Sequence, residues 1–102
     1  MAKVLALYKK SADPAAFDAD YFGTHVPLAK TLPGLRGYQV SNGPVGGGAG
    51  DSGLHLVAVL DFDSMAAIQA ALTSPEGAAT AGDLANFAQA GVELLMFDTR
   101  EV

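Results

Sequence analysis

The chain has no cysteine, few basic residues and no long apolar run, and each shortage narrows what it can be. Without cysteine there is neither a disulfide framework nor a thiolate metal site. Six Lys and Arg against 11 Asp and Glu leave a net charge of -5, with no basic cluster, so nucleic acid and anionic membrane surfaces are poor partners. The apolar run VLALY is too short for a signal-peptide core, and nothing approaches the roughly 20 residues of a membrane span. A soluble cytoplasmic protein is the expectation. Two histidines without a His-x-His spacing argue against a structural metal.

What is present fits one domain over residues 1–102, near the size at which a four-stranded sheet covers only one face with its own helices. KVLALYK, residues 3–9, is apolar at both alternating sets and reads as a strand covered on two sides. Asp13 and Pro14 supply an N-cap and a first helical residue. The helix they open carries Phe17, Tyr21, His25, Leu28 and Leu32 on one face, and Leu32-Pro33-Gly34 stops it. Residues 35–41 predict a second strand and residues 54–62 a third. Asp63 or Ser64 caps a helix with Met65, Ile68, Ala71 and Leu72, and Ser74-Pro75-Glu76 opens another through Leu84 and Phe87. VELLMFD, residues 92–98, supplies the last strand.

Between strands two and three lies GPVGGGAGDSG, which contains GAGDSG, a literal match to the dinucleotide fingerprint G-x-G-x-x-G. The match is rejected because a strand, and not a helix amino terminus, follows it. A hairpin loop, able at most to cover a ligand pocket, is the reading.

The order β-α-β-β-α-β predicts an α+β, ferredoxin-like fold, a four-stranded antiparallel sheet with both helices on one face. Strand three places Leu54, Leu56, Ala58, Leu60 and Phe62 on one side and His55, Val57 and Val59 on the other, and strand four is also apolar on both sides. The uncovered face, roughly 400 Å² in projection, is at the limit of what a monomer leaves wet. A homodimer packed sheet against sheet, a dimeric α+β barrel, is expected.

Phe17 to Tyr38 read F-x-x-x-Y-F-x-x-H-x-P-L-A-x-x-L-P-G-L-R-x-Y, and S-P-E-G follows at Ser74–Gly77. This set resembles the EthD family, named for ethyl tert-butyl ether degradation, within the dimeric α+β barrel superfamily. The resemblance implies a ferredoxin-like dimer and a small hydrophobic or aromatic ligand. Relatives include cofactor-independent isomerases, polyketide cyclases, small monooxygenases and proteins that assist oxidative degradation. In isomerases of this type the functional set is a helix histidine, a strand-two tyrosine and a histidine near strand three, positions that fall on His25, Tyr38 and His55.

Physical reasoning supports part of that set. Pro27 lacks an N–H, so the Gly23 carbonyl loses its helical partner and Val26 is pushed from helical dihedrals, which predicts a bend beneath His25. Strand two then brings Tyr38 to the floor of the gap. An imidazole suits proton abstraction beside a carbonyl, and Tyr38 suits donation to the resulting enolate. Phe17, Tyr21 and Phe22 are read as core and pocket wall, and Arg36 as a partner for an acidic substrate or a solvated edge residue. His25 as a core histidine bonded to the carbonyl freed by Pro27 is the bland alternative. The favoured function is cofactor-independent proton transfer with His25 as base. A cofactor-free monooxygenase or oxidative helper, and a non-catalytic ligand-binding dimer, are the rivals; haem, which some barrel relatives hold through one histidine, stays open.

Overall fold

A computed structural model describes Met1–Val102. Strand β1 (Ala2–Lys9) leads into a helix in three parts, namely α1 (Pro14–Asp20), a π turn (Tyr21–His25) and α2 (Val26–Ala29). Strand β2 (Gly37–Val40) is followed by a small hairpin of β3 (Gly46–Gly47) and β4 (Gly50–Asp51), then by β5 (Leu54–Phe62). Helices α3 (Met65–Leu72) and α4 (Pro75–Phe87) precede β6 (Val92–Asp98). The four long strands form an antiparallel sheet in the order β2-β5-β1-β6, the ferredoxin-like arrangement. The glycine-rich segment is thus a hairpin that runs into a strand. No helix is long and apolar enough to cross a membrane.

Cap chemistry explains where the helices begin. The side chains of Asp13, Ser64 and Ser74 accept from the N–H groups of Ala16, Ala67 and Gly77, and Pro14 and Pro75 occupy first-turn positions. Gly77 is required at the junction of α3 and α4, because a Cβ there would lie 2.3 Å from the Ala71 carbonyl oxygen.

Registered pairing sorts the side chains. Ala2, Val4, Ala6 and Tyr8 of β1 and Leu56, Ala58, Leu60 and Phe62 of β5 are buried under the helices, against Phe17, Tyr21, Ile68, Ala71 and Phe87. Burying each large side chain contributes about 1.5–3 kcal/mol. The opposite face of the sheet carries Leu5, Leu7, Val57, Val59, Leu95 and Phe97, none of them buried. On β6 even the helix-side residues stay open, with Leu94 46% and Met96 37% exposed.

Three expectations change in detail. Val26 keeps helical dihedrals (φ -59°, ψ -47°), because the chain accommodates Pro27 by widening into the π turn just before it. Strand two is shorter than residues 35–41. His55 does not share the side of Val57 and Val59: Tyr8 opposes Leu56 while Lys9 opposes Leu54, so His55 is the extra residue of a bulge that turns it back toward α1.

Candidate functional site

The π turn decides what surrounds His25. In it the Val26 N–H reaches back five residues to the Tyr21 carbonyl. In an α-helix, at 100° per residue, Asp20 and His25 would point about 140° apart; an i to i+5 ladder brings residues five apart onto one side. Tyr21 stacks on the His25 ring, with centroids 5.3 Å apart and planes inclined by 26°, and Phe87 of α4 meets it edge-on at 4.8 Å. These rings leave the His25 side chain 6% exposed.

An imidazole this buried needs a polar partner, and α4 provides one. His25 Nδ1 lies 3.2 Å from Asp83 Oδ2, and the Asn86 amide donates to Asp83 Oδ1 at 2.9 Å. An ionised carboxylate only accepts, so this contact places the ring proton on Nδ1 and leaves the lone pair on Nε2. Burial draws the His25 pKa below the usual imidazole value, and the hydrogen bond and charge of Asp83 oppose that pull without cancelling it. The ring is therefore neutral at pH 7. Nε2 has no protein hydrogen bond and is not sealed from its surroundings.

His25 is on the wall of a cavity of about 90 Å³ between the sheet and the helices. Tyr8, Tyr21 and Tyr38 share that wall, and nearly all the rest is apolar, including Ala29, Leu32, Leu60 and Leu84. Tyr38 reaches it because its Cα pairs with Leu60 on the helix-facing side of the sheet. The Tyr21 and Tyr38 hydroxyls are 2.6 Å apart. Burial raises the pKa of all three phenols, so they remain protonated donors. Leu72 and Leu94, both exposed, also line the cavity and mark its outer end.

Of the residues singled out in the sequence, His25, Tyr38 and Tyr21 meet at this cavity, and the other four do not line it. Phe17 is core, packed between Tyr8, Tyr21, Phe87 and His55. Phe22 is 50% exposed and, with His55, borders a separate open groove beneath the glycine hairpin. His55 Nε2 is 2.7 Å from Asp18 Oδ1 there, on the far side of Phe17 from His25. Arg36 is a surface residue whose guanidinium grips Asp63 through two bonds of 3.1 and 2.9 Å. That pairing holds the Asp63 carboxyl below its usual pKa. Sequence reasoning missed Asp83 and Tyr8. The signal for Asp83 was a carboxylate four residues before the buried Phe87, on the inward stripe of α4.

Residues 9–91 match the model of the EthD domain. The chain belongs to the EthD family. An uncharacterised 11.0 kDa protein from the thcB–thcC intergenic region of Rhodococcus erythropolis is 38% identical to this EthD protein, over all of this chain and 98% of the other. The crystal structure of an EthD family protein from Bacillus halodurans is 35% identical with a TM-score of 0.88, covering 98% of this chain and 99% of that one. SnoaB, a cofactor-independent oxygenase from Streptomyces nogalater, shares the fold at 18% identity and a TM-score of 0.71, covering 99% and 94% of the two chains. So does a dimeric ferredoxin-like protein from Thermobifida fusca, at 15% identity and a TM-score of 0.71, covering 96% and 90%.

In chemical terms the cavity of this EthD protein offers one neutral imidazole with a lone pair and phenol hydroxyls on a largely apolar wall. That set can remove a proton and stabilise a new oxyanion.

Proposed function

We propose that this EthD protein is a small enzyme that transfers a proton, without a cofactor, on a small hydrophobic or aromatic carbonyl compound. The observation that carries the reading is the buried His25–Asp83 pair, 3.2 Å apart, with His25 on the wall of an apolar cavity shared with Tyr38. Nε2 takes a proton from the carbon beside the carbonyl, and the C–H electron pair moves onto the carbonyl oxygen as an enolate. Tyr38 donates to that oxygen, and Asp83 stabilises the imidazolium. Return of the proton to another atom gives isomerisation; attack of the carbanion on a second carbonyl gives cyclisation. A placed base contributes roughly 10²- to 10⁴-fold.

The lining selects a neutral ligand, since it contains no Lys or Arg to receive an anion and Asp83 lies behind the base. A water occupies roughly 30 Å³ in the liquid, so a cavity of about 90 Å³ receives the reacting end of a substrate while the remainder rests between Leu72 and Leu94. Two copies pair through the face carrying Leu5, Leu7, Val57, Val59, Leu95 and Phe97, a reading supported by its exposed apolar surface and by the dimeric protein of the same fold.

A second reading takes its support from the fold shared with SnoaB. The same deprotonation yields a carbanion that reduces dioxygen, so that a CH₂ becomes C=O with one oxygen atom and the other leaves as water.

The test is incubation in D₂O with a panel of neutral cyclic and aromatic ketones, read by mass spectrometry. The wild type is expected to place deuterium next to the carbonyl, and His25→Ala to bind the ketone without exchange. Binding with no exchange by either form identifies a carrier and refutes the enzyme reading; oxygen uptake that depends on His25 selects the oxygenase.

A further inference from the structure

The mechanism leaves one buried polar atom unused. Asp20, the last residue of α1, has its Oδ2 buried and without a hydrogen-bond donor, the one side-chain polar atom in that condition. A bare carboxylate oxygen in that position is unfavourable. Protonation removes the cost if an acceptor is near, and Asp83 is the neighbouring carboxylate that, with burial, raises the Asp20 pKa. The π turn makes the meeting possible by carrying Asp20 round to the side of His25, against α4.

We propose that Asp20 is a positioning residue that keeps its proton at neutral pH and donates it to Asp83, so that the Asp83 carboxylate is clamped between that O–H and the Nδ1–H of His25. The cluster then holds two protons and one negative charge. It fixes the His25 tautomer as any carboxylate would, yet the proton on Asp20 draws off part of the charge that would otherwise protonate the imidazole. A lone buried Asp would hold the ring and also tend to charge it, which would remove the base. The pair holds it and leaves it neutral. This rests on the reading of His25 as the base, although the proton arrangement is measurable without any substrate.

The groups that face the cluster agree with the assignment. Asp20 faces Asp83 of α4 and His25 of the π turn; burial and then Asp83 raise its pKa, and His25, the last and smallest influence, pulls the other way. Asp83 is also faced by Tyr8 of β1, a phenol that burial keeps protonated, and by the neutral amide of Asn86. None of the lysine or arginine ion pairs in the fold involves these residues, so no cation stands in for the shared proton.

The experiment is a carboxyl ¹³C NMR titration of the full-length protein together with proton NMR titration of the His25 ring. Asp20 is expected to titrate well above the ordinary aspartate value of about 3.9, and Asp83→Asn to return it toward that value. Asp20→Ala is expected to move the His25 titration to higher pH, because Asp83 loses its other proton. Asp20→Asn keeps a donor in place and is expected to leave His25 near its wild-type value, a rescue that a purely structural role would not produce. Asp20 titrating in the ordinary range overturns the proposal, as does an identical His25 shift in the Asn and Ala variants. If Asp20→Ala does not fold, the wild-type and Asp83→Asn titrations still decide. Failure of the base reading shows differently, as deuterium exchange that persists in His25→Ala.

Discussion

Replacing Asp83 by leucine removes the acceptor on which the site is organised, and the structure sets the cost. The His25 side chain is 6% exposed, so its Nδ1–H has no route to water once Asp83 Oδ2 is gone. An orphaned buried donor costs about 1–3 kcal/mol. The Asp20 hydroxyl loses its acceptor as well, whereas the exposed Asn86 rehydrates at little cost. A total of about 3 kcal/mol corresponds to a fall of roughly 15 °C in Tm for a domain of this size, at about 4–8 °C per kcal/mol. Asp83→Asn still offers His25 an oxygen and is expected to lose about 1 kcal/mol. The double variant His25→Phe, Asp83→Leu should recover part of the loss, because it leaves no imidazole N–H unpaired. The assay is thermal unfolding by circular dichroism at one fixed protein concentration, since a dimer's Tm depends on concentration. An Asp83→Leu variant as stable as the wild type would refute the buried pair.

Other consequences are open to simple measurement. His25 has its folded pKa below the unfolded value of about 6.5, so the unfolded chain binds the extra proton between the two; the resulting stability is complete above about pH 6.5 and is lost as pH falls through the folded pKa. Denaturant unfolding from pH 7.5 to 5 should show that loss, and His25→Phe should flatten it. Gly77→Ala, which sets a methyl 2.3 Å from the Ala71 carbonyl oxygen, should cost about 1–3 kcal/mol or more in the same assay. Leu95→Asp, on the open face of the sheet opposite Leu5, should convert the proposed dimer to a monomer in light scattering, and a variant that stays dimeric would place the interface elsewhere.

The residues differ in how openly they declared their places. Strands 54–62 and 92–98 coincide with β5 and β6 because predominantly apolar runs between turn residues leave no competing period. The burial of His25 was legible from its step of four after Tyr21. The π turn was not, because a proline at position 27 reads as a break when the preceding turn is assumed to be α; only packing against α4 shows that widening the turn solves the same problem. Asp83 was hidden between Gly82 and Leu84, where a carboxylate in a weak helix looks like a solvent-facing residue. His55 was placed by simple alternation, which the bulge at His55 itself, opposite Tyr8 and Lys9, overrides, and a bulge is a property of two strands in register.

The site depends on which nitrogen of one ring carries a proton, and ¹⁵N NMR of the imidazole of His25 at pH 7 reads that directly. The expected spectrum is that of a neutral ring with the proton on Nδ1 and a bare Nε2. A proton on Nε2, or a ring charged at both nitrogens, would contradict the assignment of His25 as a base held by Asp83.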